Sequence, residues 1–209
     1  HPLLLKGVNF LSEDRLKGEL VSFAIRNSIS IYSAHTNADI VRGGVSDILA
    51  QVLGISSPFP PVPTGEGVGH GRIGKLKSAQ KLSEFAEFVA SKLPATSAPV
   101  RVAGDLNLIV DTVAVVGGAG DSFISAAAAS GAQVLVTSDL RHHVTLDAIS
   151  DPANPIAMID ISHFAAESLW LEPTRKVLSE ALPQVSFELS KVLTDPWSMT
   201  FLGKSNSEG

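Results

Sequence analysis

The sequence contains no cysteine, one tyrosine, two tryptophans and two methionines among its 209 residues. Without cysteine the chain forms no disulfide, zinc ribbon or iron–sulfur cluster, and it uses no thiol nucleophile. The side chains left to hold a transition metal tightly are those of histidine, aspartate and glutamate. The six histidines are therefore the first residues to locate.

Charge is also scarce. Charged residues make up 18% of the chain, against about 25% in a typical soluble domain. The hydrophobic share of 44% excludes a disordered chain and suggests that other copies of the chain cover much of its surface. The net charge of −5 offers no basic surface for nucleic acid or for an anionic membrane, so neither partner is expected.

Long apolar runs are missing as well, since no stretch approaches the roughly 20 residues that a membrane-spanning helix needs. The first residues, from His1 to Lys6, carry neither a basic n-region nor a signal cleavage site. The expected location is therefore the cytoplasm. Three leucines follow Pro2 directly, so we expect this segment to end an element that begins upstream, with the N-terminal part of the protein missing here.

Helix-like and strand-like segments alternate along the chain. Apolar spacing predicts a helix over residues 16–27, followed by a strand over 28–33. Continuous apolar runs at 112–116, 133–137 and 156–161 predict strands that are buried on both faces, as in parallel sheets. We therefore expect an α/β fold in which two similar βα-rich halves, with mainly parallel, helix-covered sheets, pack into one globular unit.

The division between these halves is predicted from proline and glycine. Residues 56–74 are crowded with both, which argues against a helix or a central strand and predicts a linker. The expected organisation is the C-terminal part of a first α/β half over 1–55, the linker over 56–74, a second α/β half over 75–203 and a tail over 204–209. Within the second half, 117–120 (GGAG) is predicted to be a turn.

Five of the six histidines lie at the chain start or directly after predicted strands. Ligands of open α/β sheets bind beyond the carboxyl ends of the strands, so these positions are candidates for a functional site. The polar residues in question are His35 and Asp39 after the first strand, Asp139, His142 and His143 after the strand at 133–137, and His163 and Glu167 after the strand at 156–161.

Two of these pairs have a spacing suited to metal binding. His163 and Glu167 are four residues apart at the start of a predicted helix, which places both side chains on one helix face within reach of one ion. Alternatively, His163 caps the strand end and Glu167 is a solvated surface acid, because this spacing is common by chance. His35 and Asp39 have the same spacing in a polar loop, where a turn-forming aspartate and a partly buried histidine are the alternative.

Two further features allow both a functional and a structural interpretation. His142 and His143 could supply a metal ligand, a general acid or a phosphate contact, or form a hydrated surface pair. The glycines at 117–120 lie where a phosphate-binding turn opens a helix, but they lack the lysine of a P-loop and could equally form a tight connection. Asp121 then fits a helix N-cap, where its charge would oppose a phosphate.

Five short motifs occur in order along the chain, from its first residue to Glu167. They are HPLLLKG at 1–7, AHTNAD at 34–39 with GVSDILA at 44–50, GRIG at 71–74, TSDLRHH at 137–143 and ISHFAAE at 161–167. Together they resemble the GTP cyclohydrolase 1 type 2 homologue family, also called the NGG1-interacting-factor-3-like family. The resemblance covers most of the chain.

The resemblance implies a cytoplasmic homohexamer, assembled as a ring-like trimer of dimers, with two divalent metal ions per subunit. The family's ligand positions correspond here to His1, Asp39, His163 and Glu167. A further histidine ligand of the family would precede residue 1. His35 and His143 match positions that support the ligands or contact substrate, and they are the catalytic candidates. The ligand set suits zinc, iron, manganese, cobalt or nickel without distinguishing among them.

Two functions compatible with the resemblance are considered. The first is a metal-dependent hydrolase that acts on a purine nucleotide or a related phosphorylated heterocycle, because paired metal ions can activate a water molecule for attack. His143 would then pass a proton. The second is a non-catalytic hexameric scaffold that binds metal or other proteins. A catalytic role predicts that Asp39→Ala abolishes turnover and leaves the assembly intact.

Overall fold

The computed structural model describes residues 2–203, and its backbone contacts divide the chain into two units, His1–Ala38 and Asp39–Gly209. The predicted ligand His1 and the predicted tail at 204–209 lie outside the described residues. Across the described residues no helix combines the length and the apolar character that crossing a bilayer requires.

The first unit contains one long helix, α1 (Leu16–Arg26), as the apolar spacing predicts. The strand predicted over 28–33 is absent, and this segment has no regular secondary structure. A strand needs a neighbour to satisfy its backbone N–H and C=O groups, and the described part of this unit contains no other strand. Ile31 and Tyr32 are accordingly exposed. The short helix α2 (Thr36–Ile40) follows at the boundary between the units.

The second unit alternates strands and helices. Its order is α3 (Val45–Val52), β1 (Ser56–Phe59), β2 (Val62–Gly65), β3 (Val68–His70), β4 (Arg72–Lys81), α4 (Leu82–Lys92), β5 (Arg101–Ala103), β6 (Ile109–Ala119), a 3₁₀ turn (Asp121–Phe123), α5 (Ile124–Ala129), β7 (Val134–Ser138), α6 (His142–Ser150), β8 (Ala157–Asp160), α7 (His163–Ser168) and α8 (Leu171–Ala181).

Six of these strands form one sheet in the order β1-β4-β6-β7-β8-β5, and β2 pairs with β3 separately. The strands β6, β7 and β8 are parallel, with Val113 beside Val134 and Val134 beside Ala157. On the two flanks, β4 pairs antiparallel with β6 and β5 with β8, and β1 pairs antiparallel with β4. The predicted α/β class is therefore confirmed, with the parallel pairing concentrated in the continuous apolar runs.

Helices cover both faces of this sheet. Val134 and Val136 of β7 pack in one apolar cluster with residues of α3, α4 and α7, among them Phe85. Leu135, between them, packs in a second cluster with residues of α5 and α6. Successive residues of a strand face opposite sides, so a strand that is buried on both sides carries no polar alternation.

The segment predicted to be a linker differs in the structure. Residues 56–74 contain β1, the β2–β3 hairpin and the first residues of β4. Proline is tolerated here because β1 is an edge strand, so a missing N–H disrupts no central pairing. The division between compact units falls instead at Ala38 and Asp39.

A buried ion pair ties the start of β4 to α3. The Arg72 side chain is almost fully buried and forms an ion pair with Asp47 in the first turn of α3. Its guanidinium also donates to the carbonyl oxygens of Gly69 at 2.8 Å, Gly71 at 2.6 Å and Val41 at 2.9 Å. One side chain thereby satisfies carbonyl oxygens of β3, of the residue between β3 and β4, and of the loop before α3.

Candidate functional site

The centre of the candidate site is the side-chain pair His163 and Glu167 on α7. Ser162 caps this helix, since its hydroxyl accepts a hydrogen bond from the backbone N–H of Ala165 at 3.1 Å. One helical turn then brings His163 Nε2 within 2.9 Å of Glu167 Oε1. The two side chains are 28% and 41% exposed, so the pair is accessible from solvent. The predicted i, i+4 pairing is therefore present in the structure.

Asp139 contributes a second carboxylate, which approaches the opposite edge of the imidazole. Its Oδ2 lies 2.7 Å from His163 Nδ1. The residue comes directly after β7 and has a φ of 59°, in the left-handed region that aspartate tolerates better than most residues. The next backbone N–H, of Leu140, donates to Asp160 Oδ1 at 3.1 Å. Carboxyl ends of adjacent parallel strands thus bring Asp139 and α7 together.

The end of β6 lies directly against this pair. A Cβ added to Gly118 would lie 3.3 Å from His163 Nε2 and 3.5 Å from Glu167 Oε1. Gly118 has a φ of 82°, a conformation that glycine adopts without strain. Thr137 Oγ1 donates to the Gly118 carbonyl oxygen at 2.9 Å and holds it in place. The glycines at 117 and 118 are therefore part of a strand, not of the predicted turn, and they bring backbone close to the pair.

Ser138 presents a buried hydroxyl next to Asp139. It is the last residue of β7 and continues the side of that strand on which Val134 and Val136 face α7. Its Oγ is the one buried side-chain polar atom without a hydrogen-bond partner among residues 2–203. Such an atom is uncommon in a folded protein and often marks a place where water, an ion or a ligand binds.

The two carboxylates raise the pKa of His163 to about 9. The hydrogen bond to Glu167 is the largest cause, partial burial opposes it, and the hydrogen bond to Asp139 raises the pKa further. In the metal-free protein the imidazole therefore carries a positive charge at neutral pH, between two negative neighbours.

The other predicted site residues differ in burial and in the element that carries them. Asp39 is half-buried in α2, and His35 is half-buried just before that helix. His143 is exposed in the first turn of α6. Its neighbour His142 lines a different cavity of about 310 Å³, together with Arg101 and Asp160.

The donor chemistry around His163 suits a divalent cation, although the described ligands are few. An imidazole nitrogen and a carboxylate oxygen converge at 2.9 Å, and a hydroxyl without a partner lies on the same side of the sheet. Within residues 2–203, however, no three histidine, aspartate or glutamate side chains are grouped so as to hold an ion. The predicted set of His1, Asp39, His163 and Glu167 stays a prediction, with His1 outside the described residues.

The sequence indicates Asp139 as a strand-end candidate, but Asp139 is not among the predicted ligands or catalytic residues. The signal was present, because Asp139 and His163 directly follow neighbouring parallel strands. The contribution of Gly118 could not be found in this way, since it depends on β6 extending through three residues that resemble a turn.

Comparison with known proteins agrees with the motifs. A sequence profile of the Duf34/NIF3 (NGG1p interacting factor 3) family matches residues 1–196. The chain is 39% identical over 207 residues to a Streptomyces coelicolor protein named GTP cyclohydrolase 1 type 2 homolog, covering 95% of this chain and 72% of that protein. It is 36% identical over 167 residues to a Nostoc protein of the same name, covering 80% and 62%.

Solved structures share the fold. A Bacillus cereus protein related to NIF3 superposes with a TM-score of 0.87 at 24% identity, covering 96% of this chain and 82% of that one. Reduced HcgD from Methanocaldococcus jannaschii superposes with a TM-score of 0.67 at 27% identity, covering 86% and 68%.

Proposed function

Because the chain belongs to the Duf34/NIF3 family, we propose that it is a divalent-metal-dependent hydrolase of a purine nucleotide or a related phosphorylated heterocycle. The observation that carries the proposal is the 2.9 Å approach of His163 Nε2 to Glu167 Oε1 at the carboxyl edge of the sheet. The name GTP cyclohydrolase 1 type 2 homolog, borne by the Streptomyces and Nostoc relatives, supplies the substrate class.

In this proposal His163 and Glu167 hold the metal from α7, and Asp39 and His1 complete the set by resemblance to the family. Two ions per subunit are expected. A bound divalent ion would lower the pKa of a coordinated water toward about 7 and would polarise the bond to be broken.

The chain's own residues have separate tasks around that centre. Gly118 leaves space beside the pair that any side chain would fill. His143 lies exposed after the neighbouring strand β7 and is proposed to pass a proton between solvent and substrate. His35 is proposed to support the ligands or contact the substrate.

The test combines metal content with turnover. Wild-type protein purified without chelator should contain about two transition-metal ions per chain and should convert GTP or another purine nucleotide. His163→Ala and Glu167→Gln should each lose metal and turnover. Glu172→Gln is the matched control, because Glu172 forms an ion pair with Arg175 on α8 instead of contacting His163.

Two results would contradict the proposal. If wild type, His163→Ala and Glu167→Gln contain the same amount of metal, His163 and Glu167 are not metal ligands. If turnover survives complete removal of metal, the reaction does not depend on a metal.

A non-catalytic scaffold is the second candidate, and exposed apolar side chains close together in sequence near the end of the described chain favour it. Trp197 and Phe201 are 68% and 85% exposed in this single chain. Surfaces of this kind often bind another protein or another copy of the same chain. We propose a cytoplasmic homohexamer for both candidates, and a hexamer that binds metal but converts no nucleotide would favour the scaffold.

A further inference from the structure

We propose that Asp139 is a positioning residue that fixes the orientation and the tautomer of His163, so that Nε2 is the nitrogen presented to a metal. The inference rests on the proposed function for the identity of what Nε2 binds. Its geometric basis is independent of that function, because the Asp139 carboxylate lies 2.7 Å from Nδ1 in the protein alone.

The two nitrogens of the ring face different partners. Nδ1 faces Asp139, and Nε2 faces Glu167 beside Gly118. A carboxylate only accepts hydrogen bonds, so the Asp139 contact requires a proton on Nδ1. The Glu167 contact likewise requires a proton on Nε2 in the metal-free protein. Glu167 is itself a proposed ligand, so a metal would take the place of that proton, and the neutral ring would keep its proton on Nδ1 and bind through Nε2. A carboxylate behind a ligating histidine has this effect in metal sites generally, and it also prevents rotation of the ring.

The backbone at Asp139 favours a specific role over a chance contact. Its φ of 59° is uncommon for a residue other than glycine, and such conformations cluster where a side chain must be held in one place. The following residue is fixed by the hydrogen bond from Leu140 N–H to Asp160. The Asp139 carboxylate therefore contacts His163 from a backbone that the Leu140–Asp160 hydrogen bond fixes on the C-terminal side of Asp139.

Two substitutions distinguish the effect of the Asp139 carboxylate from the effect of its backbone conformation. Asp139→Gly removes the carboxylate and adopts a positive φ without strain. Asp139→Asn also tolerates this conformation and keeps an oxygen that can accept from Nδ1, but without the charge. Asp121→Asn is the control, because it makes the same change of charge at a carboxylate that forms an ion pair with Arg141.

The first measurement is the affinity for Co²⁺, which calorimetry and the visible absorption of the bound ion both report. Asp139→Gly should bind Co²⁺ about 10 to 100 times more weakly than wild type, with the number of ions unchanged. Asp139→Asn should lie between the two, and Asp121→Asn should match wild type. An affinity within twofold of wild type in Asp139→Gly would overturn the proposal. So would the loss of a whole ion, because Asp139 would then be a ligand.

The second measurement needs no metal. In ¹⁵N-labelled metal-free protein, the Nδ1–H proton of His163 should be protected from exchange with water in wild type and exposed in Asp139→Gly. Equal exchange in the two proteins would overturn the positioning role. A wild-type protein that takes up no metal would contradict the proposed function, and this exchange experiment would still decide the role of Asp139.

Discussion

His163 lies between two carboxylates, and the two contacts have different structural origins. The contact with Glu167 comes from the helix, since i and i+4 side chains share a face. The contact with Asp139 comes from the sheet, because β7 and β8 are neighbours and parallel. The ring is thus held by groups 4 and 24 residues away in sequence, and only the nearer of these follows from a local motif.

The charge on His163 gives a prediction for the metal-free protein. An NMR titration should place its midpoint near pH 9, because protonation preserves the hydrogen bonds to both carboxylates. Glu167→Gln should move the midpoint down toward the ordinary value of 6.5, since Glu167 is the largest cause of the shift. A wild-type midpoint at or below about 7 would contradict the charged pairing.

The same shift fixes the direction of a stability change with pH. The folded protein holds this proton more tightly than the unfolded chain, so the contribution is full below pH 6.5 and is lost as the pH rises through about 9. The melting temperature of metal-free wild type should therefore fall more across this range than that of Glu167→Gln. Equal changes in the two proteins would show that the pair does not stabilise the fold.

At the scale of helices and strands, the sequence predicts best what is fixed by local pattern and by burial. The parallel strands β7 and β8 are predicted within one or two residues, because continuous apolar runs occur where both faces are covered. The end of α3 at Val52 has a local cause too, because Gly54, two residues later, adopts a φ of 70° that suits the residue after a helix. The candidate pair on α7 follows from the same local reasoning.

The secondary-structure predictions that fail are those in which a pairing partner distant in sequence decides whether a segment forms a strand. The segment at 28–33 has the side chains of a strand but no described strand beside it. Conversely, residues 117–119 have the composition of a turn but belong to β6, in which Ala119 pairs with Ser138 of β7 after a register shift that follows Val115. The presence or absence of a long-range pairing partner cannot be read from a local window of sequence, and the contacts of Asp139 and Gly118 with His163 depend on how β6, β7 and β8 pair.

The Arg72–Asp47 pair gives a prediction about how elements are joined. Arg72→Met should destabilise the protein by about 3 to 5 kcal/mol, because it removes the cation paired with Asp47 and the donor to several carbonyl oxygens, leaving Asp47 with the Gly43 N–H as its donor. Urea unfolding measures the change. Lys75→Met on the same strand is the control, since the Lys75–Asp111 pair is exposed to solvent and should contribute little to stability. Equal losses in both variants would contradict a special role for the buried arginine.

At the scale of the whole molecule, the low charge of the chain and its exposed apolar residues both favour an assembly of several copies. Beyond α8, residues 182–203 form no helix or strand. Hydrogen bonds of Asp195 with Ser162 and of Thr200 with the Ser97 carbonyl oxygen hold parts of this segment against the start of α7 and the loop before β5. Trp197, at 68% exposure, remains uncovered in the single chain. Covering such side chains stabilises an assembly by about 25 cal/mol for each Å² of apolar surface removed from water.

The proposed homohexamer should therefore depend on this segment. Light scattering should give wild type a mass near six times the 21.9 kDa of the chain, and the double variant Trp197→Ser, Phe201→Ser should give a smaller species with its helix content unchanged. Leu106→Ser is the control, because Leu106 is exposed on a loop before β6. A wild-type monomer would contradict the hexamer, whereas a hexamer that survives the double variant would place the interface elsewhere on the chain.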